Sequence, residues 1–264
     1  MKMNRLHMTP IDRYPGQGFK NSPFWMNALM SQVIMDCKNC ISFADDIFVT
    51  NKGTLDQHLE ELEKLLSALV KAKLKIKPSK ISILTETLEV LGFEFKNDKF
   101  SIPKASAQAI NAIQLPTKKS KVLSFTARCN FFRLWVKNFS EISRPLTALT
   151  HKSVDHRRFK MTPEGEEAFK TLKGKIMSSG FLNGPLKKRT FIAYSDASTH
   201  CCSFVLYQKN EESQPDCVLG REEEYRMMGA HSRQLIKSEV GASIFKKEVC
   251  EGSLLIVELA IILM

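Results

Sequence analysis

No apolar run in this chain is long enough to cross a membrane. The longest, Leu254 to Met264, is eleven residues and carries Glu258, well short of the roughly 20 apolar residues a spanning helix needs. It reads as a core helix cut short. A disulfide framework is missing as well: seven cysteines are an odd number, scattered behind a Met1-Lys2-Met3 start without secretory character. Reduced thiols in the cytoplasm or nucleus are therefore the expectation. Cys37-Lys38-Asn39-Cys40 has the gap of a zinc knuckle, but no second Cys or His pair stands at a matching distance, which argues against a structural zinc. Internal repeats and low-complexity tracts are lacking too. Acid is scarce relative to base, 28 Asp and Glu against 39 Lys and Arg, for a net charge of +11. With a pI near 9.3, that balance favours a polyanionic partner, nucleic acid first and an anionic membrane surface second. Hydrophobic content of 43% over 264 residues makes disorder the wrong default and suffices for one large domain or two smaller ones.

What stands out is Ile41-Ser42-Phe43-Ala44-Asp45-Asp46-Ile47-Phe48-Val49-Thr50, two adjacent carboxylates between short runs of strand formers. Aspartate is depleted in strands and rarely buried without a partner, so the pair predicts a tight hairpin that projects both carboxylates. Like charges this close repel. A divalent cation bridging them removes the penalty and supplies a Lewis acid for phosphoryl or nucleotidyl transfer, and hard oxygen ligands suit Mg²⁺ or Mn²⁺. The alternative is an ordinary turn, since Asp is a favoured turn residue.

Around this hairpin the pattern is α+β. Pro15 to Phe19 reads as a loop, and Asn21-Ser22-Pro23 predicts a helix start, running to about Asp36. Thr54-Leu55-Asp56-Gln57 has capping-box spacing. Leu55, Leu59, Leu62, Leu65, Leu66 and Leu69 come next at helical intervals and predict one face packed on a sheet. Leu88 to Phe95 with Lys99 to Ile102 reads as a hairpin around Lys96-Asn97-Asp98. From Pro103 to about Ser178 the signal is helical, punctuated by Pro116, Pro145 and Pro163, with a helix start at Thr162-Pro163-Glu164. Strands are expected over 190–195, 203–208 and 225–232, then a helix from about Ala242.

These segments, in this order, resemble the reverse transcriptases of long-terminal-repeat retrotransposons, gypsy-like elements in particular and retroviruses more remotely. Gly16-Gln17-Gly18-Phe19-Lys20-Asn21-Ser22-Pro23 resembles the loop and helix beside the incoming nucleotide and template. Phe43-Ala44-Asp45-Asp46 resembles the catalytic hairpin, with Phe43 where the family usually has Tyr. Leu91-Gly92-Phe93 is similar to the hairpin that grips the primer end. Phe125 through Asn130-Phe131-Phe132-Arg133 to Asn138-Phe139-Ser140, then Pro145-Leu146, resembles the thumb and the segment after it. Met161-Thr162-Pro163-Glu164 with Ala168-Phe169 resembles the connector. Tyr194-Ser195-Asp196-Ala197-Ser198, with Ser232-Arg233 and Glu248 later, is similar to the attached ribonuclease H domain.

The resemblance implies a partial polymerase palm over 1–102, a helical thumb and connector over 103–185 and a partial ribonuclease H-like α/β domain over 186–264. It implies catalytic, metal-holding roles for Asp45 and Asp46 and, in the nuclease, for Asp196 and Glu248. It also implies nucleotide or template contacts for Gln17, Gly18, Phe19 and Phe43, and a primer grip at Leu91, Gly92 and Phe93. Lys118, Lys119, Lys121, Arg128 and Arg133 fall in the expected thumb, where they would meet a phosphate backbone. Partners would be an RNA template, a DNA primer or RNA–DNA hybrid, and deoxynucleoside triphosphates, with no membrane. Without these neighbours Asp196 reads first as a strand-end turn residue, and Glu248 has a solvated helix face as its alternative, with Glu251 a nearby competitor.

Departures from the family pattern leave two functions open. The family places a further metal-binding Asp on a strand upstream of the Gly-Gln-Gly-Phe loop, whereas Asp12 is the only acid before Pro15 and its setting does not resemble that strand. The family's remaining nuclease acids come after the helix in which this sequence stops. One expectation is a two-metal reverse transcriptase and ribonuclease H-like segment truncated at both ends. The other is a catalytically inactive remnant that binds RNA or an RNA–DNA duplex.

Overall fold

A computed structural model describes residues 2–9, 21–151, 159–187, 189–210 and 225–242. The chain divides into two compact units, Met1–Asp98 and Lys99–Met264.

In the first unit, β2 (Cys40–Phe43) and β3 (Asp46–Asn51) form the expected hairpin, and β3 pairs on its other side with β1 (Lys2–Thr9). Beyond β1 lies β4 (Lys75–Ile76), while β5 (Ser82–Thr85) also pairs with β1. Ile47, Phe48 and Val49 are all buried because β3 is covered on both faces. Ile47 and Val49 pack with Met30 of α1 (Ser22–Val33) and with Leu62, Leu65 and Leu69 of α2 (Leu55–Lys71). Phe48 points the other way, onto Leu88, Val90 and Phe95 of the hairpin β6 (Thr87–Val90) and β7 (Phe93–Lys96). The capping box at α2 forms: Gln57 N donates to Thr54 Oγ1 at 3.3 Å and Thr54 N donates to Gln57 Oε1 at 3.1 Å.

Three sequence expectations need correction here. The helix begun at Ser22 stops at Val33, not near Asp36, and the chain turns through Cys37 into β2. Only part of the leucine face of α2 is buried: Leu62, Leu65 and Leu69 share a stripe with buried His58, whereas Leu55, Leu59 and Leu66 lie on an adjoining exposed stripe. Spacing finds a helical face but does not say how wide a stripe the sheet covers. The stretch Leu88 to Phe95 is not one strand. It folds back at Leu91-Gly92, where φ is +51° and +81°, and a second turn at Asn97-Asp98 also takes positive φ.

The second unit opens with β8 (Lys99–Ser101), which pairs with the later β9 (Leu182–Asn183). Between them run α3 (Lys104–Asn111), α4 (Lys119–Phe131), α5 (Phe139–Leu149) and α6 (Pro163–Met177). Phe125 of α4 and Phe169 of α6 meet at 4.5 Å between ring centroids inside a core that includes Leu146 and Leu172. Thr162 caps α6 as expected, accepting from Gly165 N at 3.1 Å. Pro145 does not punctuate the helices; it lies inside α5, displacing one main-chain bond there. The strands β10 (Phe191–Ala197), β11 (Cys201–Lys209) and β12 (Tyr225–Gln234) form an antiparallel sheet in that order, followed by α7 (Lys237–Val240). The helix expected from about Ala242 lies outside the described residues.

Candidate functional site

The carboxylate turn is built from both sides. Phe43 pairs with Asp46, so Ala44 and Asp45 are the two central residues of the β2–β3 turn. Ala44 has φ +51°, the left-handed region that a two-residue hairpin turn demands to match strand twist. Asn27 of α1 fixes the turn from below: its Oδ1 accepts from Ala44 N at 2.9 Å. Helix α1 is thereby tied to the main chain that presents Asp45 and Asp46. Both aspartates are partly exposed, and Asp46 stands opposite His7 in the β1 register. Two adjacent, accessible carboxylates fit a hard divalent cation. Among the described residues, no group of three or more His, Cys, Asp or Glu side chains comes together to hold a metal.

Phe43 is 54% exposed and Ile41 63%, so β2 turns an apolar surface outward beside the turn. Leu91 and Gly92 form the tip of the β6–β7 hairpin, with Leu91 exposed. The base of that hairpin, Leu88 and Phe95, packs on Phe48, so the hairpin rests on β3, the strand that begins at the carboxylate turn. Cys37 and Cys40 hydrogen-bond each other, and burial raises both thiols, Cys40 to about 12. Cys37 belongs to the core of Met30, Ile47 and Leu65, and Cys40 packs against it. Gln17, Gly18, Phe19 and Glu248 lie outside the described residues.

In the second unit Asp196 is exposed on β10, paired in register with Ser203 of β11. Ser203 Oγ donates to Asn138 Oδ1 at 2.8 Å. Asn138 and Glu141, at the start of α5, join Asp196 and Ser203 around a cavity of about 70 Å³. Glu141 accepts from Ser198 Oγ at 3.1 Å. Hydrogen bonding from Cys201, then from Ser198, together with nearby Arg144, outweighs partial burial and holds its carboxyl below the usual range. No sequence signal places Glu141 or Asn27 at a site, because each depends on a partner far along the chain.

The five basic residues do not behave alike. Lys118, Lys121 and Arg128 are exposed on α4. Lys119 is partly buried and donates to His151 O at 2.6 Å. Arg133 is a correction: its guanidinium donates to Ser232 O and lies 3.2 Å from His231 Nε2, fastening the end of α4 to β12 instead of facing outward.

Sheet, carboxylate hairpin and the helical and β segments after them have the fold of a reverse transcriptase-type protein. Residues 4–95 match the reverse transcriptase (RNA-dependent DNA polymerase) family, and residues 161–251 match the RNase H-like domain found in reverse transcriptase. These two segments are ones that the chain shares with the Pol polyproteins of LTR retrotransposons and retroviruses. It is 26% identical over 242 residues to the retrovirus-related Pol polyprotein of Drosophila melanogaster transposon opus, covering 88% of this chain and 23% of that protein. For the corresponding protein of transposon 297, identity is 26% over 193 residues, 72% of this chain and 18% of the relative. The Gag-Pol polyprotein of Koala retrovirus is 29% identical over 203 residues, 73% of this chain and 12% of that protein. The chain thus spans less than a quarter of the length of each of these relatives. In fold it is similar to the foamy viral protease-reverse transcriptase in complex with an RNA/DNA hybrid, with a TM-score of 0.83 at 19% identity, covering 99% of this chain and 37% of that one. A second structure, the same kind of foamy viral enzyme with double-stranded DNA, gives a TM-score of 0.82 at 20% identity, over 99% of this chain and 57% of that one. The reverse transcriptase and RNase H-like families use divalent metals.

Proposed function

We propose that this chain contributes RNA-directed DNA polymerase chemistry with an attached ribonuclease H-like segment, acting on an RNA template, a DNA primer and deoxynucleoside triphosphates. The observation that carries this reading is the Asp45–Asp46 turn, held by Asn27 against the left-handed Ala44. Nucleotidyl transfer needs carboxylates on a rigid element near the primer 3′-hydroxyl. Asp45 and Asp46 would hold the Mg²⁺ or Mn²⁺ that such chemistry uses to acidify the attacking hydroxyl and neutralise triphosphate charge. Phe43 offers an exposed ring beside them, on which a base or sugar can rest. Lys118 and Lys121 are exposed where α4 begins, with no acidic residue in its first turn. Positive charge there adds to the positive end of the helix dipole, an arrangement suited to phosphate. Asp196 would be a nuclease ligand.

One observation favours a second reading, nucleic-acid binding without catalysis: the net charge of +11 suits a polyanion whether or not the chain does chemistry on it. Primer extension on an RNA template with Mg²⁺ or Mn²⁺ decides between them. The chain extends a primer and the Asp45→Asn/Asp46→Asn variant does not, if the first reading holds. Absence of extension by protein with native circular dichroism selects the second.

A further inference from the structure

Lysine alternates with apolar residues along Lys73-Leu74-Lys75-Ile76-Lys77. The three lysines are exposed, Leu74 is buried and Ile76 is partly buried; Lys75 lies in β4, Lys77 follows it in extended conformation, and Lys73 stands just before, in the turn that ends α2. Alternate residues of an extended chain are about 6.6 Å apart, so Lys75 and Lys77 are close enough for like charges to oppose one another. Nothing local relieves this. No Asp or Glu occurs from Lys71 to Thr85, and among the described residues no carboxylate is ion-paired with Lys73, Lys75 or Lys77.

The row lies at the reactive end of the sheet. Asp46 faces His7 on β1, and the next β1 residue, Met8, pairs with Ile76 on β4. Two strand spacings, about 10 Å, therefore separate β4 from the start of β3. A second, independent feature is the backbone of Lys73. Helix α2 ends with Leu74 N donating to Leu69 O at 3.0 Å and Lys73 N donating to Val70 O at 2.9 Å, and Lys73 takes φ +55°. This is the left-handed helix-stop position that glycine fills without a Cβ penalty. Lysine occupies this position although glycine would fit it without strain, and its charge stands beside those of Lys75 and Lys77.

We propose that Lys73, Lys75 and Lys77 form a phosphate-binding row that holds the backbone of a nucleic-acid strand beside the Asp45–Asp46 turn. The row is additional to the α4 lysines, and it rests on the nucleic-acid reading above. Its test is the salt dependence of binding by the full chain to a labelled single-stranded RNA. For single strands the log–log slope changes by about 0.7 per phosphate contact, so Lys73→Gln/Lys75→Gln/Lys77→Gln is expected to flatten it by about 2 and to weaken binding throughout. Lys73→Gly is expected to raise the urea midpoint while still weakening RNA binding, which separates the side chain's role from folding. If the triple variant keeps the wild-type slope while Lys118→Gln/Lys121→Gln flattens it, the row is wrong and the nucleic-acid reading stands. If the unaltered chain shows no salt-dependent RNA binding, that reading fails and takes the row with it. If the triple variant loses binding to phosphatidylserine vesicles but not to RNA, the row is a membrane contact and the proposal is overturned.

Discussion

Ala44 occupies a backbone region that costs an ordinary L-residue roughly 1 kcal/mol and costs glycine almost nothing. It does so at the tip of the hairpin that carries Asp45 and Asp46, with its N–H donated to Asn27. The strain is therefore local to the turn and compensated by a side chain from another element. Replacing Ala44 by glycine keeps the N–H and removes the Cβ conflict. Ala44→Gly is expected to stabilise the chain by about 0.5 to 1 kcal/mol, part of the relief being offset by glycine's greater freedom in the unfolded chain. Urea denaturation followed by circular dichroism measures this directly, and a loss of stability would show that the Cβ is packed rather than strained.

Among elements, α2 shows how much patterning alone can say. Its cap was legible because a capping box is local chemistry, and its length was set by the leucine spacing. Which leucines are buried was not legible, since Leu65 and Leu66 are neighbours of one type with opposite fates. Leu65 is fully buried against β3 while Leu66 is 38% exposed. Leu65→Ala is expected to lose about 2 to 5 kcal/mol through transfer and cavity terms, and Leu66→Ala less than about 1 kcal/mol. Equal losses would mean that Leu66 is covered in solution. The β6–β7 hairpin makes the complementary point. The turn at Asn97-Asp98 was legible from its polar residues, but the one at Leu91-Gly92 was not: Leu91 adopts positive φ, and nothing in a leucine advertises that.

At the scale of the whole molecule, adjacency in sequence made the Asp45–Asp46 turn readable, and distance hid the rest. Asp196 was visible only through its resemblance, and Glu141 beside it was not visible at all. Arg133 looked like one more thumb cation because its partners, His231 and Ser232, lie 98 and 99 residues away. The second unit is closed by this seam: Ser140 N donates to Ser232 Oγ at 2.8 Å and Ser140 Oγ donates to Ser232 O at 2.7 Å. His231 lies in the seam, its ring stacked on Phe204 at 5.4 Å. Burial first, then the charges of Arg133 and Arg233, lower its pKa to about 4. Its Nε2 faces the Arg133 guanidinium, which can only donate, so the neutral ring accepts there and carries its proton on Nδ1.

This buried ring gives the fold a pH dependence of definite sign. Below about 6.5 the unfolded chain protonates the histidine and the folded chain does not until about pH 4. The unfolded state then binds more protons, and stability falls as the pH drops through that window. Glu239 acts at lower pH: Arg233, through bonds of 2.7 and 2.9 Å, and the Ile236 N–H depress it from 4.5 to about 2. Its contribution is present above 4.5 and lost as the pH falls through 2. His231→Gln is therefore expected to flatten the stability profile between pH 6.5 and 4 while leaving the steeper loss below 4.5 in place. Urea midpoints across pH 3 to 8 read both limbs. A variant whose upper limb keeps the wild-type slope would show that His231 is protonated in the folded chain, and the seam would then have to accommodate a third positive charge beside Arg133 and Arg233.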